Sequence, residues 1–381
     1  MNRLFLIGFS AALHAYVGWR LIPSLGAWPW LAAGIGVLLA ASALLIPAGL
    51  LLRRRRHRFA AALAWTSLGA MGLFSSLFVL TVVRDALLLV VAGVLWVWPD
   101  APAWAAVQAI TALLVPAAAG GVTLAGLWNA TRTAAVVAID IPIAGLPDAL
   151  HGFTIAQISD IHVGPTIKGR YVRGIVDAVN RLGADMVAVT GDLVDGSVAD
   201  LAEHVAALAD LDSRHGTFFV TGNHEYYSGA HGWIAELRRL GLRVLLNEHV
   251  VLQHGGAALL IAGVTDSSAH HFDPAHRSSP ARALAGAPDH ARIRVLLAHQ
   301  PKSAAAAADA GFHLQLSGHT HGGQFWPWNF FVRLQQPFTA GLARLRELWV
   351  YTSRGTGYWG PPKRFGAPSE ITHLRLVRDA G

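Results

Sequence analysis

Four long apolar stretches in the first third of the chain constrain its folding more than any other feature. Residues 4–22, 28–52, 59–83 and 103–128 each supply the roughly 20 apolar residues that a membrane-spanning helix needs. In lipid the backbone must satisfy its own hydrogen bonds, so such stretches are expected to be helices. A fifth stretch, 86–98, is short for a span. It reads as a tilted or re-entrant piece, or as a continuation of the third helix. The first stretch is followed by further spans, which fits a signal anchor better than a cleaved signal peptide. The run Arg53-Arg54-Arg55-Arg56-His57-Arg58 lies between the second and third spans and is expected on the cytoplasmic side. Five spans would then put the rest of the chain outside the cytoplasm, and four would put it inside. Polar groups within the spans are sparse, with His14 and Gln108 the main ones. Arg84 and Asp85 sit together at an expected helix end and read as an interfacial pair. This pattern suits an anchor or a lipid-access region better than a transporter.

Charge separates the chain into two parts. Residues 1–128 hold eight Arg, two Asp, no Lys and no Glu, a net of +6. Residues 129–381 hold 22 basic and 21 acidic residues, a net of +1. The basic excess belongs to the apolar part, so no nucleic-acid partner is expected. The chain has no cysteine, which excludes disulfides, thiolate metal sites and cysteine nucleophiles.

Residues 1–128 thus form a helical membrane region, and Pro142 and Pro147 mark a connector over 129–150. From 151 to 381 short apolar runs alternate with amphipathic stretches. Strands are predicted at 153–159, 185–190, 217–221, 242–246, 258–264, 293–298, 314–317, 348–352 and 371–376. Helices are predicted at 171–182, 198–211, 234–240 and 302–310. This alternation predicts a layered α/β domain.

Five short motifs follow predicted strands, where α/β folds place their sites. They are Asp160-Ile161-His162, Gly191-Asp192, Gly222-Asn223-His224-Glu225, Ala298-His299-Gln300 and Gly318-His319-Thr320-His321-Gly322-Gly323. Their carboxylates, amide oxygen and imidazoles suit one or two first-row divalent ions with mixed nitrogen and oxygen ligands. Such a donor set admits manganese, iron, zinc or cobalt.

The ordered blocks D-x-H, G-D, G-N-H-[DE], H and G-H-x-H resemble the calcineurin-like metallophosphoesterase superfamily. The stretches Ser353-Arg354-Gly355-Thr356-Gly357, Pro361-Pro362, Arg364-Phe365-Gly366 and Glu370-Ile371-Thr372 are similar to a bacterial subgroup with a multi-span N-terminal region. The resemblance implies a two-sheet sandwich flanked by helices and a pair of divalent ions. One ion would be held by Asp160, His162, Asp192 and His321, the other by Asp192, Asn223, His299 and His319. Two ions bridged by Asp192 would activate a shared water for in-line attack on a phosphoryl group. His224 would act as general acid or hydrogen-bond donor to the leaving group. Glu225 would orient a site imidazole from behind, and Arg354 and Arg364 would either bind substrate phosphate or pair with carboxylates. Relatives that cleave the pyrophosphate of UDP-2,3-diacylglucosamine suggest a lipid-linked phosphodiester or pyrophosphate substrate at a bacterial inner membrane, with a soluble phosphodiester such as a nucleotide as the alternative.

The other histidines, including His231, His270, His271 and His276, are expected to be ordinary surface or core residues. The aromatic run Gln324-Phe325-Trp326-Pro327-Trp328-Asn329-Phe330-Phe331 reads either as a core-packing connection or, taken as a segment, as a rim that touches the bilayer. A non-catalytic scaffold or metal sensor is the competing reading, although all seven expected ligands are present.

Overall fold

A computed structural model of the chain describes residues 3–52, 59–98 and 104–379. The chain divides into two compact units, and these are described separately.

The first unit contains four helices long and apolar enough to cross a membrane. They are α1 (Arg3–Leu21), α2 (Pro29–Leu52), α3 (Ala60–Val97) and α4 (Trp104–Thr131). The arginine run at 53–58 lies outside the described residues. The short stretch 86–98 continues α3, which reaches 38 residues, or about 57 Å. Arg84 and Asp85 are therefore inside a helix and not at its end, because no proline or glycine interrupts the chain between Gly72 and Gly93. They do form a polar layer. The Arg84 guanidinium donates to Thr111 Oγ1, Ser24 Oγ and the carbonyls of Arg20 and Gln108. Asp85 accepts from Arg20 Nε at 2.8 Å and from the Tyr16 hydroxyl at 2.7 Å. Arg20 closes α1 and Ser24 lies in the 3-10 turn Ile22–Leu25 that follows, so the layer is level with the turn between α1 and α2. Apolar packing elsewhere in the unit centres on Val17, Leu21, Leu39, Phe74, Leu77 and Val115.

One short segment from far down the chain, Gly360–Phe365, belongs to this helical unit. Lys363 Nζ donates to the Gly72 carbonyl at 2.9 Å, to Ser76 Oγ and to Thr123 Oγ1. Gly126 leaves the room: a Cβ there would lie 2.6 Å from Lys363 Cγ.

The second unit is built from two six-stranded sheets. In chain order its elements begin with β1 (Ala135–Ile143), β2 (Thr154–Ile158), α5 (Gly169–Asn180), β3 (Met186–Val189) and α6 (Val198–Val205). Next come β4 (Thr217–Phe219), α7 (Asn223–Ser228), α8 (Ala230–Arg239), β5 (Arg243–Val244), β6 (Glu248–His254) and β7 (Ala257–Gly263). The remainder are α9 (Pro280–Ala283), β8 (Ile293–Leu297), α10 (Ala304–Asp309), β9 (Leu314–Ser317), α11 (Trp328–Val332), β10 (Gly341–Leu345), β11 (Leu348–Thr352) and β12 (Glu370–Arg378). The sheet orders are β1-β12-β2-β3-β4-β5 and β10-β11-β9-β8-β7-β6. In the first sheet β2 to β5 run parallel; in the second, β7, β8, β9 and β11 do.

Strand alternation sorts the side chains into layers. Ile155, Met186 and Ala188 face Leu259, Ile261, Val295 and Leu297 in the core between the sheets. Their neighbours Ala156, Ile158, Val187 and Val189 face outward onto α5, α6 and α8. Leu260 and Ala262 face outward onto α9 and α10. The fold class expected from the motifs is thus present: four long apolar helices followed by a two-sheet α/β sandwich flanked by helices.

Residues 129–150 differ from the expected linker. They carry β1, which pairs in parallel with β12 over nine residues from Ala135 to Ile143. Pro142 did not prevent this because β1 is the sheet edge, where a missing N–H costs no ladder bond. β6 and β10 were also not expected; both are antiparallel edge strands whose exposure weakens the apolar pattern.

Candidate metal centre

The parallel strands of both sheets deliver the motifs from their carboxyl ends. β2 leads to Asp160 and His162, β3 to Asp192, β4 to Asn223 and His224, β8 to His299, and β9 to His319 and His321. Backbone bonds lace these turns together. The Asp160 N–H donates to Gly191 O at 3.0 Å, His162 N–H to Asp192 O at 3.1 Å, and Gly318 N–H to His299 O at 2.9 Å.

Five of the seven expected ligands have left-handed backbones: Asp160 (φ 54°), His162 (56°), Asp192 (51°), His319 (71°) and His321 (52°). Such a conformation is uncommon outside glycine, and each instance costs about 1 kcal/mol or more. Their concentration at one place marks a site where side-chain direction outweighs backbone ease. Glycines admit the close approach. A Cβ on Gly222 would fall 2.2 Å from Asp192 Oδ1, and one on Gly318 would fall 2.1 Å from Asp160 Oδ2.

The donor atoms gather in two adjoining groups. Asp160, His162 and His321 offer atoms within 4.8 Å of one another, and so do Asp192, His299 and His319. In the first group His162 Nε2 is 3.0 Å from His321 Nε2, which is within reach of Asp160 Oδ1 at 3.6 Å. In the second, His299 Nε2 is 3.1 Å from Asp192 Oδ2 and 3.2 Å from His319 Nδ1. Asp192 Oδ2 lies 4.0 Å from His162 Nε2 and so joins the two. Asn223 Oδ1 is buried without a hydrogen-bond partner. An orphaned amide oxygen costs about 1–3 kcal/mol, and a cation beside it would remove that cost. Nitrogen and oxygen donors together with this orphan fit divalent ions.

The electrostatics follow from burial among like and unlike charges. Burial opposes ionisation of Asp192, but His299, His224 and His162 outweigh it and hold its pKa well below the usual carboxylate range. Asp160 is pushed up, chiefly by burial. Burial and the neighbouring His299 lower His319 to about 4. Burial also works against His224, yet its bond to Asp195 and the charges of Asp192, Asp195 and Glu225 raise it to about 9.

Asp195 is a site residue not singled out in the sequence. Its Oδ1 is 2.5 Å from His224 Nδ1 and 3.3 Å from His162 Nδ1. Burial resists its ionisation, but the two imidazoles prevail and lower its pKa. The signal was the second carboxylate of Gly191-Asp192-Leu193-Val194-Asp195, three residues past the motif. With Nδ1 held, His224 Nε2 is left facing the donor groups, 3.9 Å from Asp192 Oδ2. The rings of Tyr227 and Trp359 pack edge-on against His224 at 5.2 and 5.8 Å.

The reading of Glu225 changes, and Arg354 takes the carboxylate-pairing alternative. Glu225 does not hold an imidazole: its carboxylate accepts from the backbone N–H of Asp192, Leu193 and Gly222, at 3.0, 2.8 and 2.6 Å. It sits at the start of α7 and braces the Asp192 turn, while burial and Asp192 push it up to about 7. Arg354 lies past β11 with Nη1 on Glu370 Oε2 at 3.0 Å, so a carboxylate already claims it. Arg364 is wholly buried and belongs to the segment counted with the helices, with its N–H on Gly126 O.

Comparison with known proteins agrees with this geometry. Residues 153–323 match the calcineurin-like phosphoesterase family. A transmembrane protein with metallophosphoesterase domain from Bos taurus is 41% identical over 72% of this chain and 66% of its own length. An uncharacterized metallophosphoesterase of Campylobacter jejuni is 38% identical over 66% of each chain. Another, from Aquifex aeolicus, is 33% identical over 58% of this chain and 84% of its own. The chain belongs to the calcineurin-like metallophosphoesterases, a metal-dependent family of phosphoester hydrolases. Its apolar helices and its transmembrane relatives mark it as a membrane protein within that family. The match spans just under two thirds of the cattle and Campylobacter relatives' own lengths.

Proposed function

We propose that this protein is a membrane-anchored hydrolase that uses two divalent ions to cleave a phosphodiester or pyrophosphate. The observation that carries the reading is the pair of buried donor groups meeting at Asp192, with the orphaned Asn223 oxygen beside them. Asp160, His162 and His321 would hold one ion, Asn223, His299 and His319 the other, and Asp192 both. Such ions supply Lewis-acid polarisation of phosphoryl oxygens and a nucleophilic water at neutral pH. The protein's own part is to fix the donors, exclude bulk water and place a proton. His224, tied at Nδ1 by Asp195, presents Nε2 to the leaving-group oxygen and donates to it.

A lipid-borne substrate is supported by what borders the site. Trp326, Trp328, Phe330, Phe331 and Leu334 follow the last histidine motif and are exposed. Trp359, which packs on His224, is exposed as well. With four spans and the arginine run inside, the catalytic domain lies on the cytoplasmic face, of the inner membrane in a bacterium.

The test is manganese-dependent hydrolysis of bis-p-nitrophenyl phosphate by the full chain in detergent. Asp192→Ala should abolish turnover and retention of the ion pair together; His224→Ala should lower kcat about 100-fold or more with both ions of the pair kept. Two ions bound without any turnover, on this ester or on lipid pyrophosphates, would favour the scaffold or sensor reading.

A further inference from the structure

A second convergence of metal-ligating groups lies behind α7, away from the donor groups above. His231 Nε2, Asp273 Oδ2 and His276 Nε2 all lie within 4.8 Å of one another. They come from different places in the chain: His231 from the first turn of α8, Asp273 and His276 from the loop between β7 and α9. We propose that these three residues form a third divalent-cation site, for a borderline ion such as zinc or cobalt.

The distances suit an ion better than an ion pair. Asp273 Oδ2 is 3.1 Å from His231 Nε2 and 3.9 Å from His276 Nε2. The second gap is too long for a hydrogen bond. Two ligands on one tetrahedral zinc are about 3.3 Å apart, between those two values. Each ligand is held from behind. Asp273 Oδ1 accepts from the Ala275 N–H at 2.9 Å, which leaves Oδ2 free to turn to the histidines. His276 Nδ1 is 2.8 Å from the Tyr226 hydroxyl. When that nitrogen donates to the hydroxyl, the lone pair of Nε2 faces Asp273, the arrangement that metal-bound histidines use. His231 is largely exposed, so the fourth position opens to water. Two imidazoles and one carboxylate select a borderline first-row ion over calcium or magnesium.

The site is built against the helix that carries Asn223 and His224. Tyr226 belongs to α7, and its ring packs on Phe272 at 5.8 Å, next to Asp273. Tyr227 bridges Phe272 and His224 at 5.6 and 5.2 Å. An ion at His276 and Asp273 would brace this stack from the side opposite the donor groups.

The full chain in detergent, stripped with chelator, loaded with zinc and desalted, should retain three ions per chain by mass spectrometry. His231→Ala should retain two, with affinity for the third at least tenfold weaker. His270→Ala/His271→Ala should still retain three. Asp192→Ala should keep the third ion while losing the pair, and zinc should raise its Tm but not that of Asp192→Ala/His231→Ala. Equal zinc retention by Asp192→Ala and Asp192→Ala/His231→Ala, an unchanged ion count in His231→Ala, or loss of an ion in the His270/His271 variant would overturn the proposal. None of these results depends on turnover, so the hydrolase reading stands or falls separately.

Discussion

Asp195 holds two imidazoles with one carboxylate oxygen, and much of the site's proton chemistry depends on it. Its loss should be felt at His224 first. In metal-free protein the His224 imidazole should titrate near about 9. Because this lies above the unfolded value of about 6.5, the interaction stabilises the fold fully below about 6.5 and is lost as pH rises through about 9. Asp195→Asn should move the His224 titration down, read by NMR of the labelled imidazole. It should also lower kcat by about 10–100-fold with little change in KM. An unmoved titration would mean that Asp195 is a bystander. At this scale the sequence was most legible. The seven expected ligands are brought together because each follows a strand end, and a strand end is visible as an apolar run meeting Gly, Asp or His. Asp195 was not legible because it sits one turn of loop further on, and only the folded loop brings its oxygen under both rings.

At the scale of elements, the Gly360–Phe365 segment makes a specific claim about α3 and α4. Its Lys363 occupies a slot that only glycine at position 126 allows, and it caps a backbone carbonyl at Gly72. Gly126→Val should expel the lysine and lower the Tm of the full chain in detergent. Lys363→Met keeps the stem but loses the polar ends, and should cost about 1–3 kcal/mol. If neither variant shifts the Tm, the segment is not held there in solution. This packing was invisible in the sequence: a lone lysine between prolines and an arginine reads as surface. The edge strands β1, β6 and β10 were missed for a related reason. Their half-exposed faces blur the alternation that revealed the central strands.

For the whole molecule, sidedness and substrate presentation are the open consequences of the architecture. Four spans with an internal arginine run predict that a C-terminal green fluorescent protein fusion glows in a bacterial host and an alkaline phosphatase fusion is inactive. The opposite pattern would require a further crossing. The exposed aromatic run predicts a split between substrates. Trp328→Ser/Phe330→Ser/Phe331→Ser should raise KM for a phosphoester presented in anionic vesicles by at least about tenfold, since even one ring lost from an apolar contact costs about 1.5–3 kcal/mol. Turnover of bis-p-nitrophenyl phosphate should not change. Equal effects on both would mean that the rings serve packing alone.

By itself the sequence determined the membrane region, the α/β class and the Asp and His motifs whose side chains gather at the strand ends. These rest on local properties: unbroken apolar length, alternation along a strand, and short motifs at strand ends. The tertiary structure alone decided that the 86–98 stretch extends α3, that β1 joins the sheet through β12, and that Glu225 braces a backbone turn. It also decided that Asp195 serves two histidines and that His231, Asp273 and His276 meet. Apart from the extension of α3, each of these brings together residues tens to hundreds of positions apart, as when Glu225 spans 33 positions to Asp192. Local pattern carries no record of which distant atoms will face one another, because that is set by how two sheets and their helices pack.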